Sequence, residues 1–253
     1  MKTTPLFAII TVCRNAAEVI GRTLASVDAQ TFGDYEHLIV DGASTDDTTR
    51  VVERMPNANR RLVSEPDRGI YDAMNKGMSL TRGKYLIFLN AGDAFHSPDV
   101  LARYAEGIRK NDTPGIVYAQ TDIVDTEGRR LGPRHLTAPD ELTLKSFRNG
   151  MLVCHQAFVA LRRIAPRYNL KYRFSADYDW CIQCLQHSRR NVGITDMVAI
   201  DYLVEGATTK NRVASLRERF RIMCYYYGTV PTAARHIGFA FRAAMRAITH
   251  KKK

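Results

Sequence analysis

Three acidic positions in this chain stand where a carboxylate could do chemistry. In "KYLIFLNAGDAF" (84–95) an apolar run ends and delivers Asn90 and then Asp93. In "VDGASTDDTTRVV" Asp41 closes a second apolar run and is followed by Gly42, which lets a ligand approach the backbone. A carboxylate there can accept hydrogen bonds from a nucleobase N–H or a ribose hydroxyl, or it can simply shape a turn. In "FSADYDWC" Asp177 and Asp179 open a helical pattern. Two residues apart, they face different directions, so at most one meets a given substrate. An acid at that place either caps the helix or takes a proton from a hydroxyl.

Such groups are only as useful as the elements that carry them. FAIITVC (7–13), YEHLIV (35–40), RLVSE (61–65) and KYLIFL (84–89) read as strands. They alternate with helical patterns from Ala16, over TDDTTRVVERM and over DAMNKGMSL. This alternation predicts βαβ units, a mostly parallel sheet and right-handed crossovers. Ligands of such sheets sit at the carboxyl ends of the strands. Thr11, Arg14 and Asn15 follow the first strand, Asp41 to Ser44 the second, Glu65 and Asp67 the third, and Asn90 and Asp93 the fourth. Beyond Val100 the pattern predicts a helix near 98–110, short strands near 115–124, a helix from Asp140 and an apolar segment at CHQAFVAL. A helix at 176–188, a strand at 192–203 and two basic helices, 212–228 and 231–250, complete it.

With 253 residues, 45% of them hydrophobic, the chain is long enough for one large α/β domain. Its charge is unevenly divided: residues 1–127 hold 14 Lys/Arg against 18 Asp/Glu, a net −4, while residues 128–253 hold 23 against 8, a net +15. The basic half points to an anionic partner: nucleic acid, phospholipid or a phosphorylated acceptor. Nucleic acid is disfavoured, because no basic strand face with interleaved aromatics and no recognition helix is present. Five scattered cysteines do not make a disulfide framework, and Cys181 and Cys184 read as two small side chains on one helix face. No apolar run is long enough to span a bilayer, and MKTTPLFAIITV lacks the pattern of a cleaved leader, so cytoplasmic residence is expected. "GMSLTRGKY" imitates a phosphate loop but has five residues between Gly77 and Gly83, and GxGxxG is absent.

The segments "TVCRN", "VDGASTDDT", "SEPDRGIYDAMNKG", "RGKYLIFLNAGD", "HQAF" and "SADYDW", in this order and spacing, resemble family 2 glycosyltransferases of the GT-A fold. More narrowly, they resemble the bacterial polysaccharide branch that includes the colanic acid fucosyltransferase. The resemblance covers residues 6–211, which implies a GT-A domain over 1–211 and a basic amphipathic helical extension over 212–253. It implies an enzyme that moves a sugar, with inversion, from a nucleotide-diphosphate sugar to a glycan or polyprenyl-linked acceptor. By the same resemblance Asp93 holds Mg²⁺ or Mn²⁺ against the donor diphosphate, and Asp177 is the general base. Thr11, Asn15 and Asp41 line the nucleotide, Asp67, Gly69, Asp72 and Asn75 run beneath the donor, and His155 and Gln156 lie near the acceptor. Tyr71 and Met74, at helical spacing, read as core. Lys210 in "EGATTKN" is placed to neutralise phosphate, although Glu205 stands where relatives have the first of two glycines. Only one strong cation ligand is evident, so the metal is expected to bind weakly without the donor. The alternative is a catalytically silent nucleotide- or carbohydrate-binding module that docks to membranes. For the last helix, Arg235, Arg242 and Arg246 on one side and Ile237, Phe241 and Ile248 on the other suit either an anionic membrane surface, at the inner face of the plasma membrane, or packing on the domain itself.

Overall fold

The computed structural model describes residues 4–204 and 212–238. Its first half follows the alternation of the sequence: β1 (Phe7–Cys13), α1 (Ala17–Asp28), β2 (Tyr35–Asp41), α2 (Thr48–Arg54), β3 (Arg60–Ser64), α3 (Ile70–Leu80) and β4 (Tyr85–Phe88). There follow β5 (Ala94–Phe95), α4 (Val100–Lys110), β6 (Ile116–Val124), β7 (Arg130–Pro133), β8 (Phe158–Leu161), α5 (Ala176–His187), β9 (Asn191–Leu203) and α6 (Arg212–Tyr227). A further helical run occupies 229–238.

The strands form one sheet in the order β3-β2-β1-β4-β8-β6-β9-β5, with β7 beside β6. β1 to β4 are parallel, and β6 and β9 share their direction because the reversed β8 separates them from β4. The mostly parallel sheet therefore holds, with β5, β7 and β8 running against it. β1 and β4 are buried along their whole length, as strands covered by helices on both faces should be. The glycines of the false phosphate loop have a packing role. A Cβ on Gly77 would meet Ile10 Cγ2 at 2.4 Å, and one on Gly83 would meet the backbone N of Ala8 at 2.4 Å.

Two expectations are corrected. No long helix starts at Asp140: this stretch is irregular, with a single 3-10 turn at Ser146–Asn149. Here the Thr143 N–H donates to Ser146 Oγ, and the Asn191 amide donates to the Leu142 carbonyl. Side-chain groups thus take the backbone bonds a helix would need. The region 115–124 is one strand rather than several, and its register against β9 shifts near Gln120.

α6, which the sequence assigns to a basic extension, is packed into the same core through Ile222 and Met223. Glu218 accepts from the N–H groups of Arg173 and Phe174, and the Tyr226 hydroxyl donates to Asp179. Arg235 in the following helical run donates to Asn149 Oδ1 at 2.6 Å. The rest of the final helix, with Arg242, Arg246, Phe241 and Ile248, lies outside the described residues, as do Glu205 and Lys210.

Candidate functional site

At the carboxyl ends of the strands two hollows adjoin, one of about 320 Å³ that includes Asp93 and one of about 170 Å³ that includes Asp177. They share Ile70, Tyr71, Asn90, Gln156 and Tyr202 as common wall. Asp93 and Asp177, 84 positions apart by subtraction of their numbers, thus open onto one groove. A larger hollow, about 790 Å³, lies at the other end of the sheet around the starts of β1 and β2, and none of the sequence-derived acids lines it.

Asp93 sits on a turn that leaves β4. Gly92 takes φ +98°, a conformation that L side chains rarely adopt, and the buried Thr23 hydroxyl pins the turn by accepting from the Gly92 N–H and donating to the Asp93 carbonyl. The Asp93 carboxylate is buried. Its Oδ1 accepts from the Leu203 N–H at 3.0 Å and its Oδ2 from Gln156 Nε2 at 2.6 Å. Burial pushes its pKa up to about 7, against the lowering effect of those two hydrogen bonds and of the Arg22 charge. Asn90 Oδ1, on the same turn, is buried without a hydrogen-bond partner among the described residues.

These groups fit a hard divalent cation: one carboxylate that gains from a positive neighbour and one amide oxygen that lacks a donor. Among the described residues no three His, Cys, Asp or Glu side chains gather at one point. Further ligands would have to come from phosphate oxygens and water.

Asp177 lies in the first turn of α5 and is only partly buried. Its Oδ1 accepts from the Tyr71 hydroxyl at 3.1 Å and from the Tyr178 N–H at 2.9 Å, while Oδ2 takes no hydrogen bond from any described residue. Asp179 is turned inward, buried, and occupied by Tyr226 and Gln183. Of the two acids on this helix, Asp177 alone lines the groove. An aromatic cluster fixes α5 against β4: Trp180 stacks on Tyr168 at 5.2 Å between ring centroids and meets Phe88 edge-on at 5.5 Å. The position of Asp177 relative to the Asp93 turn is thereby set by close-packed rings.

The loops after β1, β2 and β3 are more mixed. Cys13 and Arg14 line the 320 Å³ hollow. Asp41 is wholly buried, and its carboxylate is engaged by the Ser44 N–H and hydroxyl and by the Ser64 hydroxyl. In this arrangement it shapes the loop. Gly42 packs so closely on Asp67 that a Cβ would meet its Oδ2 at 2.3 Å, so the loops after β2 and β3 touch. Asn15 joins the loops after β1 and β2, with its Oδ1 accepting from the Thr45 N–H at 2.9 Å. Asp67 accepts from the Gly69 N–H at 2.8 Å, Gly69 opens α3 with φ +119°, and Asp72 accepts from the Arg68 N–H at 3.0 Å. That last bond holds the Asp72 carboxyl below the usual carboxylate range.

Thr11 and Asn75 make their contacts within the fold. Thr11 lies inside β1, fully buried, with its hydroxyl on His37 Nε2 at 2.9 Å. Asn75 uses both ends of its amide on the backbone of Tyr168. Neither lines the groove.

Of the pair placed near the acceptor, Gln156 reaches the Asp93 carboxylate. His155 is buried, stacked on Phe88 and bonded through Nε2 to the Tyr168 hydroxyl, and burial lowers its pKa to about 4. Both still border the smaller hollow. Tyr71, read from its spacing as core, is the chief omission: it is mostly buried, yet its hydroxyl touches Asp177. Arg134, Arg173, Tyr202 and Arg219 also line the groove, and no motif in the sequence marks them. Cys181 and Cys184 are buried in the core, and burial pushes both thiols well above their usual range.

The sheet and its flanking helices are similar to those of glycosyltransferases of the GT-A fold. Crystal structures of TarS from S. aureus (residues 1–349) share the fold, with a TM-score of 0.71 at 16% identity over 92% of this chain and 72% of that one. The mannosyltransferase PcManGT from Pyrobaculum calidifontis, in complex with GDP-Man and Mn²⁺, matches with a TM-score of 0.62 at 18% identity over 98% of this chain and 80% of that one. Residues 8–166 match the family described as Glycosyl transferase family 2, and the chain belongs to that family. It is 39% identical over 190 residues to a PGL/p-HBAD biosynthesis glycosyltransferase of Mycobacterium bovis, spanning 72% of this chain and 71% of that one. The similarity to the colanic acid enzyme stays at the level of the motifs.

Proposed function

We propose that this glycosyltransferase is inverting and metal-dependent, and that it moves a sugar from a nucleotide-diphosphate donor to a hydroxyl of a glycan precursor carried on a lipid. The observation that carries this reading is the common wall of the Asp93 and Asp177 hollows. A sugar lying against Tyr71 and Asn90 would have a cation-binding acid on one side and an open carboxylate on the other. TarS has been crystallised with UDP-GlcNAc and PcManGT with GDP-Man and Mn²⁺, which supports a nucleotide-sugar donor and a divalent ion here as well.

Asp93 and Asn90 Oδ1 would hold the metal, which supplies Lewis-acid stabilisation of the departing diphosphate. Asp177, steadied by Tyr71 and the Tyr178 N–H, takes the proton of the attacking hydroxyl at its free Oδ2. One base opposite one leaving group favours a single displacement with inversion. Asn15, Asp41 and Asp67 form the loops that would enclose the nucleotide, Arg14 borders it, and Lys210 would meet phosphate.

The first test is a thermal-shift screen of nucleoside diphosphates with Mn²⁺. One base should raise the melting temperature well above the others, because a ligand at 100 times its Kd adds about 2.7 kcal/mol to stability. A flat response to all bases would remove the donor reading, whereas binding without any turnover of the matching nucleotide sugar would favour a silent binding module.

Our reading sets the acceptor side at a membrane, and the outer face of α6 supports it. Val213 and Leu216 are exposed there beside Arg217 and Arg221, and these four with Phe220 border a hollow of about 330 Å³. No helix among the described residues is long and apolar enough to cross a membrane. The full chain should therefore sediment with vesicles containing phosphatidylglycerol, be released by high salt, and ignore neutral phosphatidylcholine. Equal recovery with neutral vesicles, or none with anionic ones, would refute this placement.

A further inference from the structure

The hollow beside Asp177 has two guanidinium groups in its wall, Arg134 from the turn after β7 and Arg219 from α6. Arg134 Nη1 donates to the carbonyls of Leu136, Met151 and Leu152 at 2.9, 2.8 and 3.3 Å. Those bonds fix its position without neutralising its charge. Neither arginine pairs with a carboxylate among the described residues. Arg219 Nε is in addition buried with no hydrogen-bond acceptor among the described residues, a condition that costs free energy until an acceptor is supplied.

The remaining titratable groups of this wall do not balance the charge. Asp177 is its single carboxylate, His155 is kept neutral by burial, and Tyr71 and Tyr202 are pushed further from ionisation. Two positive charges face one negative charge in about 170 Å³. Neither arginine borders the adjoining 320 Å³ hollow where Asp93, Cys13 and Arg14 lie.

We propose that this hollow is an anion subsite in which Arg134 and Arg219 hold a phosphate group of the acceptor, next to the hydroxyl that Asp177 deprotonates. The proposal rests on the reading of Asp177 as the acceptor-side base. Two arginines bordering one hollow from different elements suit a phosphate, whose several oxygens and double charge match them better than one carboxylate does. Held there, the acceptor's charge would fix the position of its hydroxyl relative to Oδ2 of Asp177.

The test is calorimetric titration of inorganic phosphate into the full chain saturated with Mg²⁺ and the nucleoside diphosphate found in the donor screen, so that the donor's own phosphate positions are filled. Phosphate should bind the unaltered chain, Arg219→Gln should weaken it about tenfold or more, and Arg219→Lys should recover part of the loss. Acetate at equal concentration should compete far less well. An unchanged melting transition in both variants confirms that they fold.

Equal phosphate binding in Arg219→Gln would overturn the proposal, as would acetate competing as well as phosphate. So would a variant that loses nucleoside diphosphate in place of phosphate, because Arg219 would then serve the donor. If no nucleoside diphosphate binds at all, the donor reading fails by itself. Phosphate titrated into the chain alone then decides, by its dependence on Arg219, whether the anion subsite exists.

Discussion

Asp177→Asn lowers kcat by about 10²- to 10⁴-fold, the usual contribution of a positioned general base, and leaves donor affinity in place. The substitution is close to isosteric. An asparagine Oδ1 can still accept from the Tyr71 hydroxyl and the Tyr178 N–H, so the first turn of α5 keeps its hydrogen bonds. What disappears is the second oxygen, the one without a partner among the described residues. Initial rates of sugar transfer, set against nucleotide binding by calorimetry, separate the two effects. Transfer within a few-fold of the unaltered enzyme would show that another group takes the proton.

Asp93→Asn removes the charge that faces the cation, and the expected loss is of the same order or larger. A divalent Lewis acid contributes several kcal/mol to a transition state that develops negative charge, which corresponds to about a thousandfold or more in kcat. Unlike the Asp177 variant, this one should also lose the Mn²⁺-dependent part of donor affinity. Calorimetry with and without Mn²⁺ measures that part directly. An Asp93→Asn enzyme that retains full metal-dependent turnover would refute the assignment.

The Asp93 carboxyl also makes a pH prediction of definite sign. Burial raises its pKa from 3.8 to about 7 in the folded, metal-free chain. A proton competes with the cation for the same oxygens, so Mn²⁺-dependent donor binding should strengthen as pH rises and level off above about 7. Stability moves in the opposite sense. A raised carboxyl pKa means that the folded chain binds more protons than the unfolded one between about 4 and 7, so stability falls as pH rises across that window. The metal-free chain should therefore lose melting temperature relative to Asp93→Asn between pH 4 and pH 7. Parallel melting curves for the two proteins over that range would remove the prediction.

The parallel half of the fold was legible in the sequence because β1 and β4 are largely apolar runs, β2 and β3 carry shorter ones, and helical patterns separate them. Such runs mark both the strands and the ends where polar groups collect, which is why Asp93 could be named in advance. Asp177 was legible as one of two candidates, and its orientation, with Asp179 turned toward Tyr226, needed the packing of α6 to decide it. Thr11 and Asn75 show how little a motif says of a side chain's direction: Thr11 faces a buried histidine of the adjacent strand, and Asn75 holds the backbone of Tyr168. Arg134 and Arg219 were illegible because they come together only through tertiary packing, from segments 85 positions apart by subtraction of their numbers. The irregular stretch after Pro133 follows no period at all, since side-chain hydrogen bonds and not a repeating backbone ladder determine its path.

The reversed direction of β8 has a bearing on how such an enzyme could change its choice of substrate. Because β8 runs against its neighbours, its first residues and not its last arrive at the groove, and the whole segment 134–154 enters from above and hands its end directly to Gln156. That segment carries no long helix or strand and shares little of the sheet's register. It is bound to the fold all the same: Phe147 and Val153 are buried in the core, and Tyr118 and Gln120 of β6 bond to the backbone of 138–140. A change of recipient would therefore be written in its exposed positions and in Arg134, a retuned collar on a hub that keeps its casting.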